Sequence, residues 1–318
     1  TCLRNMDLGF ESLRDRQYYY MNINKKIFWI SSYPKSGNTW LRLILCGLFF
    51  SKDGYLKNLK ILNEIPKLDT FHNFEFIKKI SIKDYNKIFK NIEYNEIATS
   101  TLSKYWLESQ KRIKLIKRDY GFFKTHNARI KFNDFHYTNE LTTLGFIYIT
   151  RDPRDIVISY SKHLNKDLDS TINFLKKNNV LGNQKTKNRM PEFIYNWKDH
   201  YRSWKNFIKV PSLFLKYEDL LIDTEKEINN IIIFFKKNFN IEIENQNNKI
   251  KNIIKTTNFK LLKDIENKDG FFEKSEHSRF FRCGKKNQWQ KELNINQQNS
   301  IEVSFKKQMI ELEYIKNY

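Results

Sequence analysis

Residues 33–40 read Tyr-Pro-Lys-Ser-Gly-Asn-Thr-Trp, between an apolar strand-like run (Ile27, Phe28, Trp29, Ile30) and a helix-like run that begins Leu41, Arg42, Leu43, Ile44, Leu45. A strand turning sharply into a helix gathers unpaired backbone N–H groups and the positive end of a helix dipole at one point, which is where an oxyanion is best held. Lys35 adds a mobile charge, and Gly37 lets the backbone come close. The residue order is not that of G-x-x-x-x-G-K-[ST], so an ordinary nucleoside-triphosphate loop is not written here.

A second strand-to-helix junction lies far along the chain. After Gly145, Phe146, Ile147, Tyr148, Ile149 and Thr150 comes Arg151-Asp152-Pro153-Arg154-Asp155, followed by Ile156, Val157, Ile158, Ser159 and Tyr160. Asp152 suits an N-cap and Pro153 the first helical position, which places Ser159 about two turns into the helix and leaves Arg151 at its mouth. A guanidinium and a hydroxyl so placed can grip one more phosphate. Two phosphate cradles on one chain point to a nucleotide with phosphates at both ends.

Together the two motifs resemble the sulfotransferase family, whose donor is 3'-phosphoadenosine 5'-phosphosulfate. The resemblance implies that Lys35, Ser36, Gly37, Asn38, Thr39 and Trp40 hold the 5'-phosphosulfate, and that Arg151 and Ser159 hold the 3'-phosphate. Phe123-Lys124-Thr125-His126 resembles the family's Lys-x-His, which makes His126 the catalytic base. Phe214-Leu215-Lys216-Tyr217-Glu218-Asp219 is similar to the strand whose Tyr, here Tyr217, contacts the adenine. Thr257 and Phe259 match the Thr-x-Phe that lines the adenine site. Phe280-Phe281-Arg282-Cys283-Gly284, with Trp289, resembles the Arg-Lys-Gly loop, which puts Arg282, Cys283 and Gly284 at the 3'-phosphate. The matches run in order from residue 27 to 290. Asn38 replaces a usual Thr, Cys283 a Lys, Asn287 a second Gly and Gln290 a Lys; Asn tolerates the left-handed conformation such a turn needs.

The chemistry this implies is in-line sulfuryl transfer to a hydroxyl or amine, with no metal required. Catalysis is then positioning plus neutralisation of charge on the leaving phosphate and sulfonate oxygens. Lys35 is expected on the leaving phosphate, Lys124 on the transferred group and His126 on the acceptor's proton. Ser159 is also expected to hold Lys35 back until an acceptor arrives. Trp40 is either a core ring or a stacking face for adenine. Glu218 and Asp219 look like a cap for the helix that begins at Leu220.

Positioning these groups takes an α/β fold in a single domain: a central, mostly parallel sheet flanked by helices, with P-loop-like nucleotide-binding architecture. Apolar runs followed by amphipathic ones recur at 27–50, 122–126, 144–164 and 191–221, the pattern of strands joined by crossover helices. No linker-like stretch divides the 318 residues. Met21 directly precedes the first strand, so residues 1–20 are expected to be a disordered or non-native N-terminal extension and 21–318 the domain. Segments 51–120 and 161–195, with Phe71, His72, Phe74, Phe76, Tyr105 and Trp106, are expected to form the lid and acceptor pocket. They fit a phenol, a lipid alcohol or a sugar, so the expected partner is a small-molecule or carbohydrate acceptor.

Composition sets the remaining bounds. Apolar runs fall short of the roughly 20 residues of a membrane helix, and no signal peptide is read. Cys2, Cys46 and Cys283 show no metal spacing and leave one unpaired, which favours a reducing, cytoplasmic home. The net charge of +21 invites a nucleic-acid reading. However, lysines are spread along the chain and the aromatics sit in apolar runs, not as a stacking platform. The expectation is therefore no nucleic-acid partner. A P-loop-type small-molecule kinase is the rival reading; it shares the first loop but has no use for the Arg151/Ser159 pair.

Overall fold

Along the first strand, Ile27 and Trp29 enter one apolar cluster, and Phe28 and Ile30 enter another. Side chains alternate across a strand, and all five residues of β1 (Ile27–Ser31) are buried, so this strand is covered on both faces, as parallel sheets require. The computed structural model describes residues 26–68, 103–113, 115, 119–132, 134–181, 192–275 and 277–316. The expected extension at 1–20, and Phe71, His72, Phe74 and Phe76 of the expected acceptor pocket, lie outside the described residues.

Four parallel strands form the central sheet. β1 sits between β2 (Gly121–Thr125) and β5 (Thr143–Thr150), and β8 (Ser212–Lys216) extends the sheet beyond β5. Two short antiparallel pairs lie apart from it: β3 (Lys131–Phe132) with β4 (Phe135–His136), and β6 (Val180–Leu181) with β7 (Glu192–Phe193). On one face of the sheet Trp29, Phe146 and Tyr148 pack with Trp106, Tyr137 and Trp204. On the other, Phe28, Phe122 and Ile147 meet the helices Asn38–Phe49, Thr224–Phe239 and Gln246–Thr256. A third cluster joins the helices Pro153–Leu164, Leu168–Lys176 and Ile295–Glu311.

The registers align the strand ends. Ser31 pairs with Thr125 and Tyr148, and Thr150 pairs with Lys216. The segments that leave β1, β2, β5 and β8 therefore emerge along one edge of the sheet, the carboxyl edge where open α/β sheets bind ligands.

Two expectations change. Trp106 is not a lid residue: it is 2% exposed and packs edge-on against Tyr137 and Phe193 in the core. Glu218 does not cap its own helix, Tyr217–Ile222, whose N-cap Lys216 makes no side-chain cap bond. Its Oε1 instead accepts the backbone N–H of Asp152 at 3.0 Å, and its Oε2 accepts the Tyr314 hydroxyl at 3.2 Å. Among the described residues no helix is long and apolar enough to cross a membrane.

Candidate functional site

The loop after β1 is held from below. Asn38 turns its side-chain amide back toward the strand and donates to Ile30 O and Ser32 Oγ, both at 3.2 Å. This side chain therefore scaffolds the loop, and what Asn38 can offer an oxyanion is its backbone N–H at the helix start. Lys35 and Gly37 both have positive φ, 68° and 99°. For glycine this is free; for lysine it costs about 1–3 kcal/mol and persists only where the surroundings impose it. A side chain at Gly37 would strike the Tyr217 ring at 2.6 Å, so the loop can descend onto that ring only with glycine there.

Tyr217, the first residue after β8, is the floor of this corner. Its ring meets Trp40 edge-on at 5.8 Å, and the Arg151 guanidinium lies 4.4 Å above it. Arg151 also donates to Lys35 O at 3.4 Å and to Lys285 O at 2.9 Å, and lies 3.9 Å from Asp155. These bonds join the first loop, the second junction and the C-terminal loop through one side chain. The expected cap is present: Asp152 accepts the N–H of Arg154, and Pro153 occupies the first turn. Ser159 sits in the helix that follows, half-buried among buried neighbours.

Three carboxylates that the sequence reading did not single out organise the rest. Glu266 accepts the backbone N–H groups of Phe280 and Phe281 at 2.7 and 2.8 Å, and Asp155 accepts those of Asn287 and Trp289 at 2.7 and 3.1 Å. The 280–289 loop is thus pinned at both ends, with Arg282, Cys283 and Gly284 between the pins. Gly284 has φ 65°, and a Cβ there would lie 2.2 Å from the Phe259 ring, so Phe259 packs directly under this loop. Thr257, buried, closes the preceding helix through its N–H to Ile253 O at 2.8 Å. Asn287 adopts φ 59°, the left-handed turn expected of it. The third carboxylate, Glu273, accepts Thr39 Oγ1 at 2.8 Å, Arg42 at 2.6 Å and Lys124 Nζ at 3.2 Å.

His126 follows β2, and both its main-chain polar groups are engaged. Its N–H reaches Glu192 at 3.3 Å, and its carbonyl lies 3.1 Å from His200 Nε2. Glu192 pairs with Lys67 at 2.7 Å. The ring Nδ1 lies 2.8 Å from the carbonyl oxygen of Ser32. A carbonyl only accepts, so Nδ1 carries the proton and Nε2 keeps its lone pair, the tautomer a base needs. Burial, and then the Lys124 charge, push the His126 pKa down to about 4, so the ring is neutral near pH 7.

Charge is concentrated here. Burial, with Arg151 and Lys124 nearby, lowers the Lys35 pKa to about 8, and burial lowers that of Lys124 as well. The Lys35 ammonium rests 4.4 Å from the Phe280 ring. His163, four residues beyond Ser159 on the same helix, has its pKa lowered to about 4 by burial and by Lys35 and Lys124, so it shares their field. Of the other histidines, His136 lies on β4 among Arg129, Lys131, Glu140 and Lys209, and His72 lies outside the described residues.

The segments that leave four parallel strands bring Lys35, His126, Arg151 and Tyr217 to one edge of an α/β sheet whose first strand-to-helix loop is P-loop-like. Residues 25–313 match the family model described as the sulfotransferase domain. The chain belongs to the sulfotransferase family. It is 27% identical over 245 residues to sulfotransferase 1E1 of Bos taurus, across 74% of this chain and 65% of that protein, so the match spans just under two thirds of the relative's length. It is 24% identical over 275 residues to flavonol 3-sulfotransferase of Flaveria bidentis, across 82% and 74% of the two chains. The fold is similar to that of retinol dehydratase in complex with androsterone and inactive cofactor PAP, with a TM-score of 0.56 at 18% identity over 92% of this chain and 85% of that one. Mouse sulfotransferase SULT7A1 complexed with PAP gives 0.53 at 19%, over 92% and 86%.

Proposed function

We propose that this protein transfers a sulfuryl group from 3'-phosphoadenosine 5'-phosphosulfate to a hydroxyl or amine of a small-molecule or carbohydrate acceptor, with His126 as base. The observation that carries the reading is the tautomer-fixed, neutral His126 on the same sheet edge as the Lys35 loop and the Arg151 corner. Family membership displaces the kinase reading, and the PAP in the structural relatives supports the choice of donor.

The residues fit such a donor. Ser36 Oγ, Trp40 Nε1 and Arg151 Nε are buried without a hydrogen-bond partner among the described residues, and buried polar atoms are rarely left so unless a ligand or water serves them. Arg151, with Ser159 and Arg282, is assigned to the 3'-phosphate; Thr257, Phe259, Tyr217 and Trp40 to the adenine; the 35–40 loop to the 5'-phosphosulfate. Lys35 neutralises charge on the bridging oxygen as the sulfur–oxygen bond breaks, and Lys124 neutralises the sulfonate oxygens. His126 Nε2 takes the acceptor's proton as its oxygen or nitrogen closes on sulfur, while Ser32 holds Nδ1–H in place.

The test is transfer of label from a sulfur-labelled donor to a panel of phenols, lipid alcohols, sugars and amines. The wild-type protein should label at least one class, and His126→Asn should lower the rate by at least about a hundredfold. No transfer across the panel, or a His126→Asn variant that keeps its rate, would contradict the assignment.

A further inference from the structure

Glu273 is an anion at the place assigned to an anion. Its two oxygens take Thr39 Oγ1, one terminal N–H of Arg42 and the Lys124 ammonium, and Lys35 also feels its charge. Burial alone would raise its pKa; the Lys124 and Arg42 charges override this and hold the carboxyl well below the usual carboxylate range. Thr39 and Lys124 are two of the groups given above to the phosphosulfate, and a hydroxyl proton and an ammonium cannot serve two anions at once without like-charge repulsion.

Arg42 makes the arrangement one-sided. Its Nε donates to Ile65 O at 3.1 Å and its second terminal nitrogen to Leu62 O at 2.9 Å, and its side chain is 2% exposed. It is pinned and cannot follow Glu273 outward, and a buried charge left without a partner is costly. Glu273 is mounted differently. Phe271 is anchored against Phe280 and Phe281, whereas Phe272 and Lys274 are exposed. Gly270, just before, has φ 73° with open space around it. The 272–274 turn can therefore carry the carboxylate away while the arginine stays.

We infer that Glu273 is an internal anion that exchanges with the donor's phosphosulfate at Thr39, Lys124 and Arg42, and that Arg42 becomes a further donor-binding cation once the exchange occurs. This rests on the donor assignment above. While seated, Glu273 neutralises the cations of the cradle and lowers its apparent affinity for every oxyanion.

Glu273→Gln keeps the shape and an oxygen for Thr39 but removes the charge. Calorimetry should show 3'-phosphoadenosine 5'-phosphate binding at least about tenfold more tightly to the variant than to the wild type, with inorganic sulfate gaining in the same direction. Unchanged or weaker binding of both would overturn the exchange and make Glu273 a positioning partner of Lys124. Should the variant fail to fold, hydrogen exchange on the wild-type chain decides: 3'-phosphoadenosine 5'-phosphate should speed exchange of the 272–274 amides, and protection there would overturn the inference. A gain for inorganic sulfate, with neither protein preferring 3'-phosphoadenosine 5'-phosphate to ADP, would support the exchange while refuting the donor.

Discussion

The buried carboxylate of Asp155 is hydrogen-bonded to the backbone N–H of Asn287 at 2.7 Å, across 132 residues of sequence. It binds the N–H of Trp289 as well and lies 3.9 Å from Arg151. One side chain thus fixes the C-terminal loop to the helix whose mouth carries Arg151. Asp155→Ala would strand two N–H groups and leave a guanidinium without its nearest carboxylate. Chemical denaturation should show a loss of about 2–5 kcal/mol, and affinity for 3'-phosphoadenosine 5'-phosphate should fall in whatever fraction stays folded. Wild-type affinity in that variant would mean that the loop does not face the nucleotide.

Gly284 is needed for both its conformation and its lack of a side chain, with φ 65° and the Phe259 ring 2.2 Å from where a Cβ would stand. Gly284→Ala should lower stability by about 1–3 kcal/mol. Shortening the ring with Phe259→Leu should relieve the steric part but not the strain at positive φ, so the double variant should recover part of the loss in a thermal melt.

The Lys35 pKa, lowered to about 8 first by burial and then by Arg151 and Lys124, gives a pH dependence of defined sign. The native state disfavours the charged form, so this group lowers stability below pH 8, and the deficit disappears as pH rises from about 8 to 10.5. Ligand binding runs the other way, because an anion restores the proton. Titrating 3'-phosphoadenosine 5'-phosphate near pH 8.5 in buffers of different ionisation enthalpy should show net proton uptake, and affinity should fall with pH above about 8. No buffer dependence would place Lys35 away from the bound phosphate.

Much of this was legible in the sequence because the site is built from junctions. A strand followed at once by Pro34, Lys35, Ser36 and Gly37, or by Arg151, Asp152 and Pro153, states the element boundary, and the proposed chemistry is read from the residues at it. The parallel sheet followed from apolar runs that feed amphipathic ones. Asp155, Glu266 and Glu273 were not legible: a lone carboxylate in a helix or turn reads as solvated until the fold brings it to a distant backbone N–H or to a buried guanidinium. Glu273 in Phe271-Phe272-Glu273-Lys274 carries no local signal. Trp106 misled because an aromatic beside lysines looks like a binding surface, whereas it fills the space over Tyr137 and Phe193.

Arg151 and His126 should fail differently when altered. Arg151→Gln removes the contacts proposed for the 3'-phosphate, which does not react, so donor affinity should fall more than the rate at saturating donor. His126→Asn should keep near-normal binding of 3'-phosphoadenosine 5'-phosphate and lose transfer. With the His126 pKa lowered to about 4 by burial and by Lys124, the base form prevails above that value. The kcat/KM profile should therefore stay flat on its acid side down to about pH 5 and fall only below. An acid limb near pH 6.5 would point to a solvent-exposed histidine.

The donor is tested most directly by comparing nucleotides that differ only in their phosphates. Calorimetric titration of 3'-phosphoadenosine 5'-phosphate, ADP and AMP should give an affinity for the first at least about tenfold above the other two, because it alone presents a 3'-phosphate to Arg151, Ser159 and Arg282. The preference should vanish in Arg151→Gln. Equal affinities for all three nucleotides in the wild-type protein would contradict the account.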